Sequence, residues 1–251
     1  MSYSKEAKPS IPVLYEDNHL LVVVKPPGIP SQEDETGDPD MLTLLKEDLK
    51  LRHNKPGNVF LGLVHRLDRP VGGAMMFAKT SKAASRLSES VRSRRFDKSY
   101  IAVVHGTPKA REGRLKHYLS KDAKRNVVTV YDSPAADAKE AILDYRVIAH
   151  HAGFTLVAVK LHTGRSHQIR AQMAKIGCPL VADLKYGAPK SAGITDIALW
   201  STLVGAAHPT TKEWVQFHSA PSGSPPWAWW ESHHLESAWQ LFQGESEGGL
   251  I

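Results

Sequence analysis

Between residues 99 and 161 the chain lays down apolar segments at 99–104, 126–131, 141–148 and 154–161, with no helical period between them. Gly106, Gly113 and Gly153 punctuate the run. Strands that follow one another without intervening helices pair antiparallel or join a mixed sheet, not a doubly wound parallel one. The class expected is therefore α+β: a mixed, largely antiparallel central sheet with flanking helices.

The rest of the chain fits that plan. Leu20-Leu21-Val22-Val23-Val24 is a short β-branched run stopped by Lys25-Pro26-Pro27-Gly28, which reads as a buried strand. Residues 61–64, 73–78, 197–204 and 214–218 read as further strands, and 31–39 as an acidic, turn-rich loop. Met41, Leu44, Leu45 and Leu49 recur at helical spacing. Thr80 or Ser81 can cap a helix whose inner face is Ala83, Ala84, Leu87 and Val91. Ile169, Met173 and Ile176 stand at i, i+4 and i+7, which predicts a helix over 166–176. Residues 1–12 read as a polar arm, 13–220 as the body, and 221–251 as a Pro/Trp-rich tail. In that tail Leu235, Trp239 and Phe242 mark a short amphipathic helix, and Trp227, Trp229 and Trp230 read first as packing onto the body.

Composition narrows the chemistry. The one cysteine, Cys178, lies among apolar neighbours and reads as core; it excludes an intrachain disulfide and thiolate metal clusters. Thirteen histidines include no HExxH pair, so no metal is expected. No phosphate-loop motif is present, so no nucleotide cofactor is expected either. No apolar run is long enough to span a membrane, and residues 1–12 lack the core of a signal peptide, which makes the cytoplasm the default. A monomer is the default oligomeric state. The 251 residues carry 32 Lys and Arg against 26 Asp and Glu, a net +6 that suits a polyanionic partner such as nucleic acid.

The segments that carry chemistry are four. In Val64-His65-Arg66-Leu67-Asp68-Arg69-Pro70 an aspartate ends an apolar run between two arginines. Unpaired carboxylates seldom sit at such places, so Asp68 with Arg66 is either an ion pair pinning a turn or a held nucleophile. Lys98-Ser99-Tyr100 opens an alternating strand; Tyr100 is either core or a ring that stacks on a planar base. In Thr163-Gly164-Arg165-Ser166-His167-Gln168-Ile169-Arg170 a turn leads into a helix bearing Arg165, His167 and Arg170, where Arg170 can reach a buried carboxylate. Asp183, in Ala182-Asp183-Leu184-Lys185-Tyr186-Gly187, reads as a turn or cap residue.

At these residues the chain resembles the RluA family of RNA pseudouridine synthases. The resemblance begins at Tyr15-Glu16-Asp17-Asn18-His19, runs through Lys25-Pro26-Pro27-Gly28, and continues at His65-Arg66-Leu67-Asp68, Lys98-Ser99-Tyr100, 163–170 and 183–187. It implies that Asp68 is the catalytic aspartate, that Arg66 fills the gap left by an extruded base, that Tyr100 stacks on uracil, and that Arg170 pairs with Asp68. It implies a ribosomal or transfer RNA substrate, with Arg165 and His167 near the RNA backbone or active-site turn. Arg92, Arg94, Arg95 and Lys98 are then candidates to hold that backbone, against a plain solvated surface. Two segments depart from the pattern. Val71-Gly72-Gly73 stands where Thr-Ser-Gly is usual, and Leu199-Trp200-Ser201 where Leu-His-Ala is common. A catalytically inactive RNA-binding protein of the same fold is the alternative, and a two-carboxylate hydrolase is a further rival that lacks an obvious second acid.

Overall fold

The computed structural model describes residues 10–191, 193–221 and 223–242. Most of the expected arm and the end of the expected tail lie outside them.

Eleven strands form one sheet: β1 (Val13–Glu16), β2 (Leu20–Lys25), β3 (Gly62–Leu63), β4 (Gly72–Ala78), β5 (Phe96–His105), β6 (Glu112–Asp122), β7 (Val127–Tyr131), β8 (Lys139–His151), β9 (Phe154–Leu161), β10 (Leu199–Ala207) and β11 (Trp214–His218). Their order is β1-β2-β4-β10-β5-β9-β8-β6-β7, with β3 beside β4 and β11 beside β10. One pairing, β4 with β10, is parallel; the other pairings are antiparallel. The mixed, largely antiparallel sheet is thus as the strand succession predicts.

Among the described residues four α-helices cover the sheet: α1 (Met41–Arg52), α2 (Ser81–Arg92), α3 (Gln168–Lys175) and α4 (Ser232–Ser237). Strand alternation decides where they sit. Leu21 and Val23 join Met41, Leu45 and Leu49 of α1 and Ile169 and Met173 of α3 in one core layer, which also takes Tyr100, Val157 and Val159. Leu20 and Val22 point the other way, with Met76, onto Ala83 and Leu87 of α2. Ile101, Val103, Leu156 and Ala158 are covered by Trp227, Trp230 and Leu235, so the tryptophans of the C-terminal segment act in packing. Caps fall where composition places them: Asp40 accepts from the Leu42 and Thr43 amides, and Thr80 from Ala83.

Beyond shifts of a few residues at strand ends, three elements differ from expectation. The helix α3 starts at Gln168, two residues late, because His167 adopts a left-handed conformation (φ 51°) that no α-helix can include. The C-terminal helix is interrupted: α4 ends at Ser237 and a separate 3-10 turn carries Phe242. Strand β6 has no counterpart in the sequence reading, since its charged residues hide a sparse alternation of His117 and Leu119.

At the end of β1, Glu16 ties three elements together. It accepts from Lys79 Nζ just after β4 (2.6 Å) and from Arg52 (2.8 Å), and pairs with His53 (2.8 Å) at the end of α1. Burial alone would raise its pKa, but these partners outweigh burial and bring it to about 2. A carboxylate depressed in this way stabilises the fold above its unfolded value of 4.5, and the contribution fades as pH falls through about 2. Glu16→Gln is expected to cost about 1–2 kcal/mol at neutral pH. In urea titrations at stepped pH, the gap between variant and parent should close below pH 4.5 and vanish under pH 2.

Candidate active site

Asp68 sits in the loop between β3 and β4, and that loop is tied down at nearly every residue. Leu67 donates its amide to Ser31 Oγ (3.1 Å) and accepts the Ser31 hydroxyl at its carbonyl (2.8 Å). The Asp68 carbonyl accepts from the Val71 amide (2.9 Å), and the Arg69 carbonyl from the Gly28 amide (2.9 Å). Beneath them lies Lys25, the last residue of β2 and fully buried. Its Nζ donates to the carbonyls of Pro26 (2.9 Å), Arg69 (3.0 Å) and Val71 (2.8 Å). Burial, partly offset by the nearby Asp68 carboxylate, lowers its pKa to about 7. Three carbonyl acceptors match the three protons of an ammonium, so the bonding geometry itself favours the charged form. Arg69 turns away from the site onto Gly28, Thr36 and Asp38.

The departure at 71–73 has a structural counterpart at 199–201. In the parallel pairing, Trp200 stands opposite Gly72 and Ser201 opposite Gly73. A Cβ on Gly72 would land inside the Trp200 ring, and one on Gly73 (φ +118°) inside the Ser201 backbone. The two departures are therefore one exchange of volume, and the Asp68 loop keeps its geometry through Lys25 and Ser31.

Arg170, in the first turn of α3, reaches Asp68 across the sheet layer. Its Nη1 donates to Asp68 Oδ2 at 3.0 Å. The same guanidinium donates through Nε (2.7 Å) and Nη2 (2.9 Å) to Asp183, a bidentate pair. Asp183 stands at the N-cap position of the 3-10 turn Leu184–Tyr186, as a turn or cap residue should, but its side chain is 1% exposed and is spent on Arg170 rather than on a cap hydrogen bond. Burial alone would lower the Arg170 pKa; Asp183, and then Asp68, outweigh it and hold the guanidinium above its ordinary value. The face of Arg170 lies over the Tyr186 ring (5.2 Å to the centroid).

Tyr100 lies on β5, buried beside Asp68. Burial, and then the Asp68 charge, push its phenol well above its ordinary pKa, with a partial offset from Ser201 opposite it on β10. His167 completes this wall: its Nε2 is 3.9 Å from Asp68 Oδ2 and its Nδ1 is 2.8 Å from Tyr186 Oη. Burial lowers its pKa, against the opposing pull of Asp68.

These residues line an open cleft of about 1050 Å³. Asp68 (side chain 28% exposed), Arg66, Tyr100, Arg170, Arg165, His167, Arg92 and Lys98 all border it. Arg66 is exposed within it. Arg95 does not border it: its Nε is on Ser93, and Arg94 takes the place at the wall. Among the described residues no group of three His, Cys, Asp or Glu could hold a metal ion, and no helix is long and apolar enough to cross a membrane. Sequence reasoning missed the roles of Lys25 and Ser31, and it singled out the segment of Asp183 and Tyr186 without foreseeing their contacts with Arg170 and His167. A lysine closing an otherwise apolar strand was the one available signal, at Lys25.

Comparison with known proteins agrees with this geometry. A family model described as RNA pseudouridylate synthase matches residues 19–175. The chain is 34% identical over 211 residues to an uncharacterised RNA pseudouridine synthase of Bacillus subtilis, covering 82% of this chain and 68% of that protein. It is 34% identical over 225 residues to ribosomal large subunit pseudouridine synthase D of Yersinia pestis, covering 83% and 66%. The chain thus spans about two thirds of the length of these curated relatives. Among solved structures, human RNA pseudouridylate synthase domain containing 1 superposes with a TM-score of 0.75 at 23% identity over 98% of both chains. Human RNA pseudouridylate synthase domain containing 4 gives 0.71 at 20% identity, over 90% of this chain and 92% of that one.

The two carboxylates on Arg170 should separate by stability. Asp183→Asn breaks a fully buried pair and is expected to cost about 3–5 kcal/mol. Asp68→Asn leaves Arg170 paired and touches a partly open side chain, so about 1 kcal/mol or less is expected. Urea denaturation of both variants measures the difference; equal losses would remove the distinction between a supporting and a presented carboxylate.

Proposed function

Because this chain belongs to the RNA pseudouridylate synthase family, of the RluA type, we propose that it isomerises uridine within structured RNA to pseudouridine, with Asp68 as the catalytic carboxylate. The observation that carries the reading is the single hydrogen bond from Arg170 to an Asp68 oxygen in an open cleft, beside a buried tyrosine. Arg170 holds Asp183 in a sealed pair, whereas Asp68, on the remaining donor, faces the cleft.

In the reaction the N1–C1′ bond of the target uridine breaks, the uracil turns, and C5 bonds to C1′. The C5 hydrogen leaves as a proton, and N1 gains one. No electron donor or acceptor enters the balance. Asp68 acts on the nucleoside by attack at C1′, by addition at C6 or by removal of the C2′ proton, and each route needs a carboxylate within contact of the flipped nucleotide. Arg170 orients that carboxylate, and Arg66 stands where it can enter the stack vacated by the base. Tyr100 forms the floor on which uracil rests. The exposed arginines Arg92, Arg94 and Arg165 at the cleft wall supply cations for the RNA backbone. Ribosomal or transfer RNA is the substrate class we assign, with the chain acting as a monomer in the cytoplasm.

Release of tritium from RNA carrying 5-tritiated uridine reads the isomerisation directly. Asp68→Asn should reduce release at least about 1000-fold while RNA binding persists. Full turnover by that variant would falsify the assignment, and binding without release by the unaltered protein would favour the inactive RNA-binding alternative. Tyr100→Phe should keep substrate affinity, whereas Tyr100→Leu should weaken it about tenfold, the scale of one lost stacking contact. Unchanged kinetics in both would place Tyr100 outside the chemistry.

A further inference from the structure

Lys98 is the one cleft-lining lysine on the strand that carries Tyr100. The two residues are i and i+2 on β5, hence on one face and about 7 Å apart along it. Lys98 is only 8% exposed, so its stem is enclosed and its ammonium is directed into a confined space. A Cβ on Gly164 would stand 3.0 Å from Lys98 Nζ, so the turn at 163–165 leaves room for that head group by lacking a side chain.

What surrounds this ammonium is unusual in one respect: it has no counter-ion. The charged group that faces it from the turn is another cation, Arg165, whose Nε is engaged by the Glu140 carbonyl. From the loop before Asp68, His65 faces it as a neutral ring. His65 Nε2 accepts from the Met76 amide (2.9 Å), and burial, then Lys98, push its pKa to about 3. The carboxylates on β8, the strand beyond β9, are committed elsewhere: Glu140 to Lys116 and Arg94, and Asp144 to Arg114 and His162. Among the described residues none pairs with Lys98. Burial, and then Arg165, lower the Lys98 pKa. An enclosed ammonium beside a second cation is stabilised by an anion between them; a neutral carbonyl would accept a hydrogen bond but leave their repulsion in place.

We propose that Lys98 Nζ and the Arg165 guanidinium, meeting across Gly164, form a seat for one phosphate of the RNA strand, the one attached to the nucleotide on Asp68. The proposal rests on the reading that this cleft accepts an RNA nucleotide, and it adds a fixed register. Arg92 and Arg94 at the rim attract the strand, whereas the enclosed Lys98, with the exposed Arg165 beside it, sets which phosphate stops beside Tyr100.

The test has two arms that fail separately. In the first, inorganic phosphate is titrated into the full chain and the lysine side-chain Cε resonances are followed by NMR at constant ionic strength. The Lys98 signal should shift saturably, an equal ionic strength of chloride should not reproduce it, and Arg165→Gln should weaken the effect about fivefold or more. Asp68→Asn should leave it intact, so this arm holds whether or not the chain isomerises uridine. Absence of a saturable Lys98 shift, the same shift with chloride, or indifference to Arg165→Gln overturns the seat. In the second arm, tritium release is measured with Lys98→Met, which keeps the stem, and with Lys98→Arg. Lys98→Met should raise KM about tenfold, with a smaller change in kcat, and reduce the salt slope of log kcat/KM by about one. Lys98→Arg should restore most of the affinity. An unchanged salt slope, or a loss confined to kcat, overturns it.

Discussion

One guanidinium holds two carboxylates in this protein, and the site depends on how it divides between them. Asp183 takes two of the Arg170 donors in a bidentate pair sealed from solvent, which fixes the plane of the guanidinium. The remaining Nη1 is then aimed at Asp68 without being free to follow it. An arginine with one carboxylate would settle wherever that pair was best solvated. With the second carboxylate as anchor, it presents a fixed donor to a side chain that still faces an open cleft. Such a buried pair is costly to desolvate, which is consistent with a positioning role more than a stabilising one.

The same logic of fixing by backbone contact governs the loop that carries Asp68. Lys25 and Ser31 bind main-chain atoms of Leu67, Arg69 and Val71, so the loop is held without a hydroxyl side chain at 71 or 72. That explains how Val71-Gly72-Gly73 coexists with an intact constellation. Trp200 occupies the volume above Gly72 and anchors its indole on Ser219 (3.1 Å), so the exchange moves bulk from one strand of the parallel pair to the other.

Much of this was legible in the sequence, for identifiable reasons. Strands with long β-branched runs, such as β2 and β9, announce themselves because both of their faces are buried. Strand β6 does not, because one face is solvated and its inward positions are few. The family resemblance groups Asp68, Tyr100 and Arg170, and the fold brings them to one cleft. The pairing of Asp183 is not legible in that way: a lone aspartate before a glycine turn is ordinary turn chemistry, and only the packing of α3 against that turn makes it a buried partner. Arg95 shows the converse. Adjacent cations at a helix end look equivalent in sequence, but the left-handed Arg94 (φ 60°) turns the chain so that Arg94 borders the cleft and Arg95 does not.

The charge around the cleft is arranged in depth as well as in amount. A net +6 would attract a polyanion wherever the cations lay. Here the outer arginines are either solvated or paired, as Arg92 is with Glu89 and Arg94 with Glu140. Deeper in, Lys98 has no such partner among the described residues, and deeper still Arg170 is held by two carboxylates. Surface pairs exchange readily with solvent and ions and discriminate little between one phosphate and the next. An enclosed, uncompensated cation costs stability in the empty protein and regains it when an anion enters. On the proposed reading, this enclosed lysine lies one strand-repeat from Tyr100, where a strand arriving out of register would leave it without its phosphate.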